Sequence, residues 1–172
     1  MRFDTKRLSL CAMLTALALA LSYMENMFPV MSFILPLPGV KLGLANVVTL
    51  FALFTLGSPS ALCVLVARCL LSSLFAGNAS ALIYSLLGGL CAMVTMIALK
   101  HLGKFSVFGI SIGGAAAHNC GQIAAAMLVL GNRAPLAYLP FLLIVSVFTG
   151  ALTGFIASLL FRAVEHIPLL EK

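Results

Sequence analysis

Charge all but vanishes from long stretches of this chain: between Leu42 and Leu99 the sole charged side chain is Arg68, and between Phe105 and Phe161 it is Arg133. A water-soluble domain carries roughly 25% charged residues, because its surface has to be solvated. Here the figure is 8%, against 63% hydrophobic residues. Such a chain folds with lipid as its main solvent. Lipid cannot pair a bare backbone N–H or C=O, so spanning segments must satisfy their own backbone, as helices do. A helix needs about 20 apolar residues to cross roughly 30 Å of hydrocarbon. The expected architecture is an all-α integral membrane bundle of about six transmembrane helices, forming a single transmembrane domain over residues 1–172 with no separate soluble part.

Breaks in hydrophobicity and Gly/Pro punctuation place the spans near residues 8–28, 41–56, 60–76, 80–100, 106–130 and 136–162. The tightest turn is Gly57-Ser58-Pro59-Ser60. The start of the chain, with Arg2, Lys6 and Arg7 before an apolar run, has the look of a signal peptide. The run from Leu8 to Phe28 is long enough to span, so an uncleaved first helix is expected.

Lys and Arg are enriched on cytoplasmic flanks. With both termini cytoplasmic, Arg2, Lys6, Arg7, Lys100, Lys104, Arg162 and Lys172 fall inside and only Lys41 and Arg133 outside, which sets the expected orientation. The net charge of +6 is scattered along the chain rather than gathered into a patch with interleaved aromatics, so nucleic acid is not an expected partner. The cysteines lie in apolar runs without metal-type spacing and read as small buried hydrophobes.

Polar groups inside apolar spans must pair with something, and they mark the candidate chemistry. Pro36, Pro38 and Gly39 interrupt helix ahead of Lys41. A helix opening between Gly39 and Asn46 would aim free N–H groups, its positive dipole end and Lys41 at an anion. The alternative for Lys41 is simple snorkelling to the interface. Arg68 sits within the third span, where a charge usually faces the bundle interior or a wet cavity, and Glu25 is its plausible counter-ion. Asn78 lies at a span boundary. His118 and Gln122 are four apart and share a helix face, with Asn119 beside them. Their partners are either other helices or a ligand. Burying such groups unpaired costs about 1–3 kcal/mol each.

Several reactions lack their residues. Magnesium-dependent diphosphate chemistry needs clustered carboxylates, and the chain holds only Asp4, Glu25, Glu165 and Glu171. It has no Walker-type phosphate loop, and its three histidines show no metal-ligand spacing. No enzyme, resident cofactor or metal is expected.

Three passages carry a resemblance: Pro38-Gly-Val-Lys-Leu-Gly-Leu-Ala-Asn-Val-Val-Thr-Leu50, Ser85-Leu-Leu-Gly-Gly-Leu90 and Gly114-Ala-Ala-Ala-His-Asn-Cys-Gly-Gln122. Together they resemble the small bacterial membrane proteins called the Gx transporter family, also labelled heptaprenyl diphosphate synthase component I. Since the carboxylates of a synthase are missing, that label implies a noncatalytic membrane partner. The family is similar in size and topology to the substrate-binding S-components of energy-coupling factor importers. Those are six-helix bundles whose first helix contacts a transmembrane coupling subunit through an Ala-x-x-x-Ala pattern, and the coupling subunit is joined to two cytoplasmic ATPases. Ala12, Ala16 and Ala20 match that pattern, which also accounts for the chain's lack of ATPase residues.

The resemblance implies a multi-pass protein of the bacterial cytoplasmic membrane that captures a small molecule from outside. The expected pocket lies beneath the loop from Phe28 to Lys41, acting as a lid. Polar contacts would come from Lys41, Asn46, Arg68 and Asn78 on one side and from His118, Asn119 and Gln122 on the other. Cations dominate the set, so the expected ligand is anionic or phosphate-bearing: a flavin, a vitamin or a prenyl diphosphate. The alternative is a membrane subunit serving heptaprenyl diphosphate and quinone biosynthesis, or flavin-based extracytosolic electron transfer, without transport.

Overall fold

The computed structural model describes residues 5–27, 43–77 and 79–164. Their secondary structure is helical: α1 (Thr5–Met27), α2 (Leu44–Thr55), α3 (Ser58–Ala76), α4 (Ala79–Leu102), α5 (Val107–Leu130), a 3-10 turn (Ala134–Tyr138) and α6 (Leu139–Val164). Each expected span corresponds to one helix. Four segments are long and apolar enough to cross a membrane, Thr5–Glu25, Ser58–Ala76, Ala79–Leu102 and Ala134–Val164.

The other two helices fall short for different reasons. With 12 residues, α2 is about 18 Å long at 1.5 Å per residue, less than a full crossing. By contrast α5 has 24 residues, but His118, Asn119 and Gln122 among its glycines dilute its hydropathy. Gly57, with φ 86°, makes the turn between α2 and α3, and Pro59 sits in the first turn of α3, where its missing N–H costs nothing.

Each helix from α2 to α6 packs on the next, and α2 returns to α6, closing a ring that α1 joins against α2 and α3. The interior of this ring is filled by Leu50, Leu53, Leu65 and Met93, all fully buried. Hydrophobic driving force between helices is weak in lipid, so close backbone approach matters more. The α4–α5–α6 layer shows such approach. A Cβ on Gly121 would stand 2.6 Å from the Leu87 carbonyl oxygen, and one on Gly150 would stand 2.6 Å from Ile112 Cα.

On α1 the inward positions Cys11, Thr15, Ala18, Ser22 and Glu25 alternate four and three residues apart, a narrow stripe suited to one packed seam. Ala12, Ala16 and Ala20 lie off that stripe and are all exposed.

The two ends of the bundle differ. At one end α1 and α5 start, and α2, α4 and α6 finish. There Lys100 Nζ donates to the Leu53 carbonyl at 2.7 Å and lies 4.7 Å from the centre of the Phe54 ring. This cation ties the last turn of α4 to the C-terminal, negative end of α2. Phe161 of α6 stacks on Phe51 in the same cluster. Lys6, Arg7, Lys104 and Arg162 also belong to this end. The opposite end holds the cavity.

Candidate functional site

At the end where α1 and α5 finish, a cavity of about 640 Å³ opens between the helices. Small-molecule sites run from about 300 to 1,000 Å³, so the space suits a ligand of vitamin size. Exposed Leu130 and Tyr138 stand at its rim, with Asn132 and Pro135 from the link between α5 and α6. Apolar side chains such as Ala81, Ile123, Ala126 and Leu142 form much of its wall.

The charged groups of the described wall, Glu25 and Arg68, come from α1 and α3, and α2 adds Asn46. Arg68 is 8% exposed and lines the cavity. One of its terminal nitrogens donates to Asn46 Oδ1 at 3.0 Å, while its Nε has no hydrogen-bond partner among the described residues. A charge on a membrane helix costs roughly 2.5–3.5 kcal/mol near the bilayer centre. Glu25, also buried and lining the cavity, is close enough to attract the guanidinium electrostatically.

Glu25 also does something the sequence did not reveal. Its Oε1 accepts the Gly43 backbone N–H at 2.6 Å, so a carboxylate from α1 sits at the N-terminus of α2. The positive end of a helix dipole favours such an anion. Gly43 reaches this geometry with φ 79°, a left-handed conformation that glycine adopts without strain. The helix N-terminus that the sequence pattern offers to an external anion thus holds one of the chain's own.

From α5, His118 and Gln122 line the cavity together, as their four-residue spacing requires. Gly88 of α4 makes room for them: a Cβ there would stand 2.9 Å from His118 Cε1 and 3.0 Å from Gln122 Cγ. Asn119 turns elsewhere. Its Nδ2 donates to the Leu142 carbonyl of α6 at 2.8 Å, an interhelical tie. Asn119 does line a second, smaller chamber of about 50 Å³ deeper in the bundle, which shares Asn46, His118 and Gln122 with the main cavity.

Of the seven expected ligand-contact residues, five are therefore placed, with Asn46, Arg68, His118 and Gln122 on the main cavity and Asn119 on the inner chamber. Lys41 and Asn78 lie outside the described residues, as does the loop from Phe28 to Lys41. Sequence reasoning did not single out Tyr84 and Ser85 of α4, which line the cavity, or Thr149 and Thr153 of α6, which line the chamber. The two threonines are one turn apart in an apolar helix, a spacing that marks a shared polar face.

A family profile described as Heptaprenyl diphosphate synthase component I matches residues 14–160 of the chain. No curated protein and no solved structure matched.

Proposed function

The chain belongs to the heptaprenyl diphosphate synthase component I family, and we propose that it is a noncatalytic membrane subunit that holds a small anionic molecule in the cavity beside Arg68. The observation that carries this reading is the arginine itself. A guanidinium buried in an apolar bundle and lining a ligand-sized cavity is a costly arrangement for mere packing, and an anion entering there would offset the cost. Asn46 holds one side of the guanidinium in place and leaves its charge turned to the cavity.

In this reading the subunit serves an importer of the energy-coupling factor type. The basic end around Lys100 and Arg162 faces the cytoplasm and the cavity faces outside, following the charge rule. Ala12, Ala16 and Ala20 present a shallow exposed surface on which a coupling subunit's helix can pack closely, and ATP hydrolysis belongs to partner ATPases.

The family's description favours a second reading, in which the chain is the membrane partner of a soluble prenyl diphosphate synthase. Both readings leave catalysis to another chain. Co-purification from native membranes in mild detergent, with mass spectrometry of the bound proteins, separates them. Recovery of a coupling subunit with paired ATPases is the expected result. Recovery of a soluble synthase without ATPases would replace the importer reading with the second one.

A further inference from the structure

The inner chamber of about 50 Å³ is too small for a whole ligand. A single water needs about 10–15 Å³ of such space, so the chamber has room for one functional group. Hydrogen-bond bookkeeping at two threonines and an asparagine of its lining bears on what kind. Thr149 Oγ1 donates to the Val145 carbonyl at 3.2 Å, and Thr153 Oγ1 donates to the Thr149 carbonyl at 2.7 Å. A hydroxyl has one hydrogen, so each threonine offers the chamber only acceptor lone pairs.

Asn46 supplies a donor, alongside Ser111, His118, Asn119 and Gln122 on the same lining. Asn46 turns its Oδ1 to Arg68, which leaves Nδ2 on the other side of the amide. That nitrogen lies 3.3 Å from the point where a Cβ on Gly43 would stand, and Thr153 Oγ1 lies 3.9 Å from the same point. Arg68 thereby sets which way the Asn46 amide faces the chamber. Threonines in apolar helices commonly bond back to their own helix, which accounts for the two hydroxyl bonds. It does not account for a chamber beside them with an oriented amide across it.

We propose that the chamber is a second subsite, which receives a neutral group carrying both donor and acceptor, a hydroxyl or the edge of an amide or imide, while Arg68 receives the ligand's anionic group. This rests on the binding function proposed above and narrows its substrate class. The ligand is a hydrophilic anion bearing hydroxyl or ring N–H groups. A hydrocarbon-tailed diphosphate forgoes the hydrogen bonds the chamber offers, and sites built to hydrogen-bond a group discriminate strongly against analogues that lack it.

The test is isothermal titration of the full-length protein in detergent with three probes: inorganic diphosphate, geranyl diphosphate, and riboflavin 5'-phosphate, which carries hydroxyls, an imide and a phosphate. Wild type is expected to bind riboflavin 5'-phosphate at least about tenfold more tightly than geranyl diphosphate. Thr149→Val with Thr153→Val should erase that margin and leave inorganic diphosphate binding unchanged. Serine at both positions should preserve the margin, which separates the hydroxyls' role from a folding defect. Geranyl diphosphate binding as tightly as riboflavin 5'-phosphate in wild type, or a margin that survives the double valine variant, overturns the subsite. Failure of inorganic diphosphate to bind, or its equal binding to Arg68→Ala, instead overturns the underlying anion site and the subsite with it.

Discussion

At Arg68 two demands compete. The guanidinium must be accommodated inside an apolar bundle, and in the proposed function it must also keep a face open to a ligand. Asn46 and Glu25 meet the first demand in part, and the place of Arg68 on the cavity wall leaves the second possible. Lysine keeps the charge but loses the planar fork that grips phosphate or carboxylate. Hydrogen bonds to charged groups contribute about 1.5–3 kcal/mol, so Arg68→Lys should weaken diphosphate binding by about tenfold and Arg68→Ala by more, as read by titration. In that proposed function Glu25 works against the ligand, since its negative charge competes for the same arginine. Glu25→Gln keeps an acceptor for the Gly43 N–H and removes that competition. Diphosphate affinity should rise severalfold in this variant, and a fall in affinity would show that Glu25 supports the site rather than competing for it. The sequence exposed Arg68 because a lone charge in an apolar span stands out. It could not expose the bond from Gly43 to Glu25, because the two are 18 residues apart and one partner is a backbone N–H.

Helices α4, α5 and α6 are held together by glycines, and the glycines are not equivalent. A Cβ on Gly121 meets the backbone of α4 at Leu87 and Gly88, which cannot move without shifting the helix. A Cβ on Gly113 meets only side chains, the end of Leu99 at 2.5 Å, which can rotate away, and Thr95 Cγ2 at an ordinary 3.8 Å. Overpacking costs about 1–3 kcal/mol where the neighbour is rigid. Gly121→Ala should therefore lower the detergent melting temperature clearly more than Gly113→Ala; equal effects would contradict the packing described. Helix positions were legible in the sequence, since span length and Gly/Pro breaks fix them to within a few residues. The onset of α2 at Leu44 rather than near residue 41 reflects Gly43, whose left-handed backbone starts the helix there. The site was legible only where polarity interrupts apolar runs, at Arg68, Asn46, His118 and Gln122. Thr149 and Thr153 were overlooked because a threonine satisfies its own hydroxyl within a helix and carries no obligatory partner.

At the scale of the whole molecule the bundle has a basic end, a cavity end and an exposed alanine stripe on α1. Since Ala16 is exposed and off the packed seam, a larger residue there should leave the fold and the cavity intact. Ala16→Leu is expected to abolish co-purification of a coupling subunit while diphosphate binding persists. Retained co-purification would remove α1 from the docking surface. In the proposed importer reading, the separation of the cavity from that stripe would let one chain hold a ligand and engage a transport partner at once. The most direct test of the central claim is native mass spectrometry of the protein purified from its own membranes, comparing wild type with Arg68→Ala. A small anionic molecule bound to the wild type and lost from the variant is the predicted result. A wild type carrying only lipid, or a variant that keeps the same molecule, would contradict it.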